Sequence, residues 1–172
     1  MSTNASGSPV LSLLIPIYNV QRYLRECLDS ALAQTLKDIE IICINDGSTD
    51  NSPAIIREYM ERDERVKMID KANSGYGDSM NRGLEMARGE YVGILESDDF
   101  MALDALEKLV SAAEGCNADF AKANFDFYWS KPEERRSLHE MFKPKDCGKP
   151  VHPSDTTQFL SLIHISEPTR PR

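Results

Sequence analysis

The sequence lacks a long apolar run. No stretch approaches the roughly twenty consecutive apolar residues with which a helix crosses a bilayer. Residues 1–9 (MSTNASGSP) also lack the basic and apolar parts of a secretory signal peptide, and they predict a disordered lead-in. These two absences favour a globular chain over a membrane-spanning or exported one.

Closely spaced cysteines are missing as well. The four cysteines are far apart, with no CxxC pair and no neighbouring histidine: Cys27, Cys43, Cys116 and Cys147. This spacing argues against a thiolate metal site and against a disulfide framework, so a cytoplasmic location is the simplest expectation. Cys27 and Cys43 fall on apolar faces, which predicts that both are core residues.

Positive charge is scarce. The chain has 20 Lys and Arg residues against 28 Asp and Glu residues, for a formal net charge of -8. Such a surface repels a phosphate backbone, which argues against a nucleic-acid partner. A nucleotide ligand would need help from a metal ion or from backbone N–H groups. The 172 residues, 41% of them apolar, predict one domain with a hydrophobic core.

Apolar runs alternate with helical patterns along the chain. Such alternation is typical of βαβ units, and it predicts an α/β fold with a largely parallel sheet covered on both faces. Ligands of such sheets bind beyond the carboxyl ends of the strands. Strands are predicted at residues 11–17, 39–44, 66–69, 91–95 and 120–127, and helices at residues 20–32, 52–60, 77–87 and 103–113.

Three separated segments each end at that predicted edge in a distinctive set of residues. They read LSLLIPIYN at residues 11–19, EIICINDGSTD at residues 40–50 and GEYVGILESDD at residues 89–99. In this order and spacing they resemble the inverting GT-A glycosyltransferases of family 2, whose pattern is roughly IPxYN, DDGSTD and GEY(I/V)xxxDSDD. The resemblance implies a GT-A, Rossmann-like sheet flanked by helices. It also implies transfer of a sugar from a nucleoside-diphosphate-sugar to an acceptor hydroxyl with inversion, in bacterial surface polysaccharide synthesis.

The resemblance assigns nucleotide contacts to the first two segments. Pro16 and Tyr18 would contact the base and ribose, and Asp46 would accept a hydrogen bond from an N–H of the base. Asn45 stands where the family usually has the first of two acids. The alternative for this region is purely structural, with Asn19 capping the next helix and Asp46 closing a turn.

Two further segments would contact the rest of the donor. Gly75 lies in a loop that leads into a helix, where unpaired N–H groups suit ribose and diphosphate. In the acidic segment, Glu96 and Ser97 are expected at the nucleotide-sugar, and the resemblance places Mg²⁺ or Mn²⁺ on Asp98. Asp99 would buttress Asp98 or cap the following helix.

The C-terminal part of the sequence supports fewer predictions. Residues 10–128 are interpreted as the nucleotide-sugar-binding domain, and residues 129–159 as the start of an acceptor-binding half. Residues 160–172 resemble a translated sequencing adapter, the alternative being a native, loose C-terminus. The expectation is therefore a C-terminally truncated chain whose general base lies beyond Phe159. The acceptor would be a saccharide or lipid-linked saccharide, and any association with the inner face of the membrane would come from the missing region.

Two other functions stay open from the residues alone. Sugar-nucleotide nucleotidyltransferases share the architecture, but they have a Gly-rich basic loop after the first strand, where this chain has Tyr18, Asn19, Val20 and Gln21. The second alternative is a non-catalytic fragment that only binds a nucleotide.

Overall fold

The structure, a computed structural model, describes residues 7–116 and 118–123. In this part of the chain four strands alternate with four helices: β1 Leu11–Ile17, α1 Leu24–Leu32, β2 Ile39–Asp46, α2 Ser52–Arg62, β3 Val66–Lys71, α3 Tyr76–Met86, β4 Tyr91–Ile94 and α4 Ala105–Cys116. Each of these elements was predicted, with ends that differ by up to four residues. Residues 118–123 contain no strand. The rest of the predicted fifth strand, most of the lead-in and residues 129–172 lie outside the described residues.

The four strands form one parallel sheet in the order β3-β2-β1-β4. All residues of the two central strands are buried, because helices cover both faces of the sheet. Full burial explains why β1 and β2 are nearly continuous apolar runs rather than alternating ones. The predicted α/β fold class is confirmed.

The core is divided between the two faces of the sheet. Successive side chains of a strand point to opposite faces, so Ile15 packs in one cluster with side chains of α1, α2 and α4. Leu14 packs in the other with Met80 of α3. Cys27 and Cys43 are both buried, as predicted.

Contacts between loops affect where α1 and α2 begin. Helix α1 begins at Leu24 instead of residue 20, because residues 21–23 form a turn that follows Asn19 at a φ of 55°. In the sequence, Ser52 followed by Pro53 is typical of a helix cap followed by the first helical residue, but in the structure Ser52 is itself the first residue of α2. Its buried hydroxyl accepts a hydrogen bond from the N–H of Val20 at 3.2 Å instead. Both differences arise from contacts between loops that are distant in sequence.

Gly47 lies where the β2–α2 turn presses against the β3–α3 loop. Its φ is +69°, and a Cβ there would be 2.6 Å from the backbone nitrogen of Asn73. Only glycine allows this conformation and this close approach together. The contact holds two loops at the carboxyl edge of the sheet against each other.

Within residues 7–116 and 118–123, no helix combines the length and apolar character that spanning a membrane requires.

Candidate functional site

The carboxyl ends of the strands bring the predicted site residues to one edge of the sheet. Pro16 is buried inside β1 beside its end, and Tyr18 follows it with 51% of its surface exposed. Asp46 is the last residue of β2, and Gly75 precedes α3. Glu96, Ser97 and Asp98 follow β4. The predicted site residues therefore lie together at the carboxyl edge of the sheet.

The loops after β1 and β2 are tied together by hydrogen bonds through Asn19. Its N–H donates to Ser48 Oγ at 3.0 Å, and its Oδ1 accepts the N–H of Thr49 at 2.8 Å and that of Asp50 at 3.3 Å. The N–H of Gln21 donates to Asp50 Oδ2 at 2.9 Å. The Asn19 side chain thus binds the loop after β2. It does not cap α1, which was the structural alternative. Ser48, Thr49 and Asp50 serve to brace the loop on which Tyr18 stands.

Asp46 is buried and held by three donors. Its Oδ1 accepts the N–H of Ser74 at 2.8 Å and a hydrogen bond from Lys71 Nζ, and its Oδ2 accepts the N–H of Gly75 at 2.9 Å. Burial raises the pKa of this carboxyl, but the donors outweigh burial and hold the pKa below its ordinary value. Asp46 is therefore ionised at neutral pH. A carboxylate has about four acceptor positions, so among the described residues one position on Oδ2 is left without a donor.

The departure at Asn45 has a structural cause. Asn45 Nδ2 donates to Asp70 Oδ1 on the neighbouring strand at 2.7 Å, while Asn45 Oδ1 accepts the N–H of Ser48 at 3.2 Å. An ionised aspartate could accept but could not donate to Asp70. Asn45 is accordingly a framework residue directly beside Asp46.

Lys71 was not among the predicted site residues, yet it is central to this edge. Its side chain is 7% exposed, and its ammonium group pairs with Asp46, contacts Ser74 Oγ at 2.5 Å and lies 3.3 Å from Asp78 Oδ2. Asp78 also pairs with Arg82 at 2.9 Å. The hydrogen bonds from Ser74 and Arg82 lower the pKa of Asp78 to about 2. The negative charge at the start of α3 is thus balanced. Lys71 is the last residue of β3 and lies in register with Asp46, a pairing that the sequence alone does not give.

The acidic segment is exposed and short of positive partners. Ser97 is buried, whereas Glu96, Asp98 and Asp99 are exposed. In the described part of the chain no basic side chain forms an ion pair with any of the three acids. Burial, and then the charge of Asp98, raise the pKa of Asp99. Helix α4 begins only at Ala105, so Asp99 does not cap it.

A divalent cation suits these donors. Among residues 7–116 and 118–123 no three His, Cys, Asp or Glu side chains converge as a metal cluster. Mg²⁺ in nucleotide enzymes is commonly held by only one or two carboxylates together with substrate phosphates. Asp98, an exposed carboxylate in an uncompensated negative field, fits a cation of that kind.

These features define a class of protein. A parallel α/β sheet with an ionised carboxylate, a helix start and exposed acids at its carboxyl edge is the architecture of a nucleotide-binding domain. The model of the family "Glycosyl transferase family 2" matches residues 12–166. The chain belongs to glycosyl transferase family 2, as its three motifs predicted.

Sequence similarity to known proteins supports this assignment. The chain is 38% identical over 155 residues to the uncharacterized glycosyltransferase EpsJ of Bacillus subtilis, covering 86% of this chain and 44% of EpsJ. It is 41% identical over 99 residues to a chondroitin synthase of Escherichia coli, covering 58% and 14% of the two chains. The chain thus spans less than half the length of either relative.

A solved structure has the same fold. The crystal structure of Staphylococcus aureus TarS, residues 1–349, in complex with UDP-GlcNAc superposes with a TM-score of 0.59 at 29% identity. The match covers 63% of this chain and 32% of TarS. The predicted GT-A architecture is confirmed.

Proposed function

We propose that this chain is the nucleotide-sugar-binding part of a glycosyltransferase. The complete enzyme transfers a sugar from a nucleoside-diphosphate-sugar to an acceptor hydroxyl with inversion. The observation that carries the proposal is Asp46, an ionised, nearly buried carboxylate with one acceptor position left at the carboxyl edge of the sheet. The TarS complex with UDP-GlcNAc supports a donor of this class.

The residues at the carboxyl ends of β1 and β2 recognise the nucleoside. Asp46 Oδ2 accepts an N–H of the base, a charge-assisted bond that a neutral acceptor makes less well. Tyr18 presents a half-exposed ring on which a base or ribose can lie, and Pro16 is the second proposed contact to the base and ribose. Gly75 and Ser97 line the same edge beside the diphosphate and the ribose.

Asp98 holds Mg²⁺ or Mn²⁺, with Glu96 nearby as a contact to the ribose or to water. When bound, the cation supplies Lewis-acid stabilisation of the charge that accumulates on the departing diphosphate. The chain's own contribution is to position the donor: Lys71 and the N–H groups of Ser74 and Gly75 hold Asp46 in place and ionised.

The acceptor side belongs to the remainder of the enzyme. Inverting transfer needs a general base that takes the proton from the attacking hydroxyl, and we place this base beyond Phe159. A bacterial surface polysaccharide or its lipid-linked precursor is the proposed product, supported by the relationship to a chondroitin synthase. The proposed location is the cytoplasm, at the inner face of the membrane.

Asp46→Asn tests the base contact. The variant keeps the shape of the side chain but removes its charge, so the affinity for uridine diphosphate should fall by about 1.5–3 kcal/mol. The affinity for ribose diphosphate, which has no base, should change much less. Both affinities are measured by calorimetry in the presence of Mn²⁺.

Asp63→Asn is the matched control for this measurement. Asp63 also accepts a backbone N–H, that of Arg65 at 3.0 Å, and pairs with the same residue's guanidinium at 2.8 Å, but it precedes β3 at the opposite edge of the sheet. Its replacement should leave both affinities unchanged. Equal affinity of the parent for uridine diphosphate and ribose diphosphate would refute the role given to Asp46.

A further inference from the structure

One hydrogen bond joins the start of α3 to the acidic segment. The hydroxyl of Tyr76 donates to Glu96 Oε1 at 2.8 Å across 20 positions of sequence. Tyr76 is the first residue of α3, and Glu96 lies in the loop that follows β4. Among the described residues no other side chain or backbone group forms a hydrogen bond or ion pair with the Glu96 carboxylate. One carboxylate oxygen is therefore tied to Tyr76, and Oε2 is left for another donor.

The position of Tyr76 is itself set by the nucleotide edge. The N–H of the preceding residue, Gly75, donates to Asp46 Oδ2 at 2.9 Å. A continuous set of contacts thus runs from Asp46 through Gly75 and Tyr76 to Glu96. It connects the proposed base contact, after β2, with the acidic segment after β4, at the other side of the sheet edge.

The chemistry at Glu96 makes this link useful. Glutamate has one more rotatable bond than aspartate, so an exposed glutamate carboxylate is less well defined in position. A hydroxyl donor on one oxygen removes much of that freedom and leaves the second oxygen as an acceptor. A ribose hydroxyl is a neutral donor of the kind that such an oxygen accepts.

We propose that Tyr76 is a positioning residue that fixes the Glu96 carboxylate so that its second oxygen accepts a hydrogen bond from a ribose hydroxyl of the nucleoside diphosphate. The inference rests on the proposed nucleotide site and adds to it a specific determinant of ribose recognition. Tyr76 acts through Glu96, and its effect is confined to ligands that carry the ribose hydroxyls.

The test compares two ligands by calorimetry with Mn²⁺: uridine diphosphate and 2′,3′-dideoxyuridine diphosphate, which lacks both ribose hydroxyls. In Tyr76→Phe the affinity for uridine diphosphate should fall roughly three- to tenfold, the effect of one net hydrogen bond. The affinity for the dideoxy ligand should be unchanged. In the Glu96→Ala background, Tyr76→Phe should cause no further loss, because the group that it positions is gone.

Tyr91→Phe is the matched control, since Tyr91 begins β4 at the opposite edge of the sheet. It should leave both affinities as in the parent. The inference is overturned if Tyr76→Phe lowers the affinity for both ligands equally or for neither. It is also overturned if Tyr76→Phe lowers the affinity further in the Glu96→Ala background. A parent that binds uridine diphosphate without preferring it to the dideoxy ligand also overturns the inference alone. A parent that binds neither uridine nor guanosine diphosphate overturns the proposed function, and the inference with it.

Discussion

Asp98→Ala is expected to abolish the metal-dependent part of nucleoside diphosphate binding and to leave the fold intact. Asp98 is exposed and forms no ion pair with the described residues, so its removal costs little stability. The substitution also removes the negative charge beside Asp99. That charge is the second cause, after burial, of the raised pKa of Asp99. Loss of a second-layer partner already costs a metal site about 10–100-fold in affinity, and loss of a direct ligand costs at least as much.

The measurement is calorimetric titration with uridine diphosphate, with and without Mn²⁺. The parent should gain affinity when Mn²⁺ is added, whereas Asp98→Ala should gain none. Asp104→Ala serves as the control, because Asp104 is an aspartate with 45% of its side chain exposed that pairs, among the described residues, with Lys108 of α4. A gain with Mn²⁺ that is equal in parent and Asp98→Ala would show that the cation is held elsewhere.

Much of the fold was predictable because its central strands are buried on both faces. Leu13, Leu14 and Ile15 form an unbroken apolar run, and Pro16 and Asn19 mark the end of the strand. Residues 41–44 form a second unbroken apolar run. Since parallel strands place their carboxyl ends at one edge, the position of Tyr18, Asp46 and Glu96 at that edge followed from the predicted parallel sheet.

The contacts within that edge could not be predicted. Asn19 looks like a helix cap from its neighbours in sequence, but its side chain binds the loop after β2, thirty positions later. Lys71 looks like an ordinary surface lysine, and it becomes 7% exposed only because Asp46 lies beside it in the neighbouring strand. Both cases depend on contacts between segments that are distant in sequence, which local patterns do not contain.

At the amino edge of the sheet, the largest stability effect is expected at Glu40, the second residue of β2. Its carboxylate is buried, with Oε1 accepting the Ser12 hydroxyl at 2.6 Å and the N–H of Arg88 at 2.7 Å. Its Oε2 pairs with Lys67 Nζ at 2.5 Å and with the Arg88 guanidinium at 3.2 Å. Glu40→Ala removes one partner from a buried charged network, and the free energy of unfolding should fall by about 3 kcal/mol.

The effect of Glu40 should also depend on pH in one direction. Burial raises the pKa of Glu40, but the hydrogen bonds from Lys67, Ser12 and the Arg88 N–H outweigh it and bring the pKa from 4.5 to about 2. Because the folded state lowers this pKa, Glu40 stabilises the fold fully above the pKa of the unfolded chain. That contribution, about 2–3 kcal/mol, is lost as the pH falls from about 4.5 through about 2.

Urea unfolding of the parent and Glu40→Gln should therefore show a difference in stability at pH 7 that shrinks at pH 3. The control is Glu58→Gln, whose carboxylate pairs with Arg25 at 2.6 Å but is 45% exposed, so its loss should cost much less stability than that of Glu40. If Glu40→Gln costs no more than Glu58→Gln, or if its cost is the same at both pH values, the carboxylate is not the centre of a buried charged network.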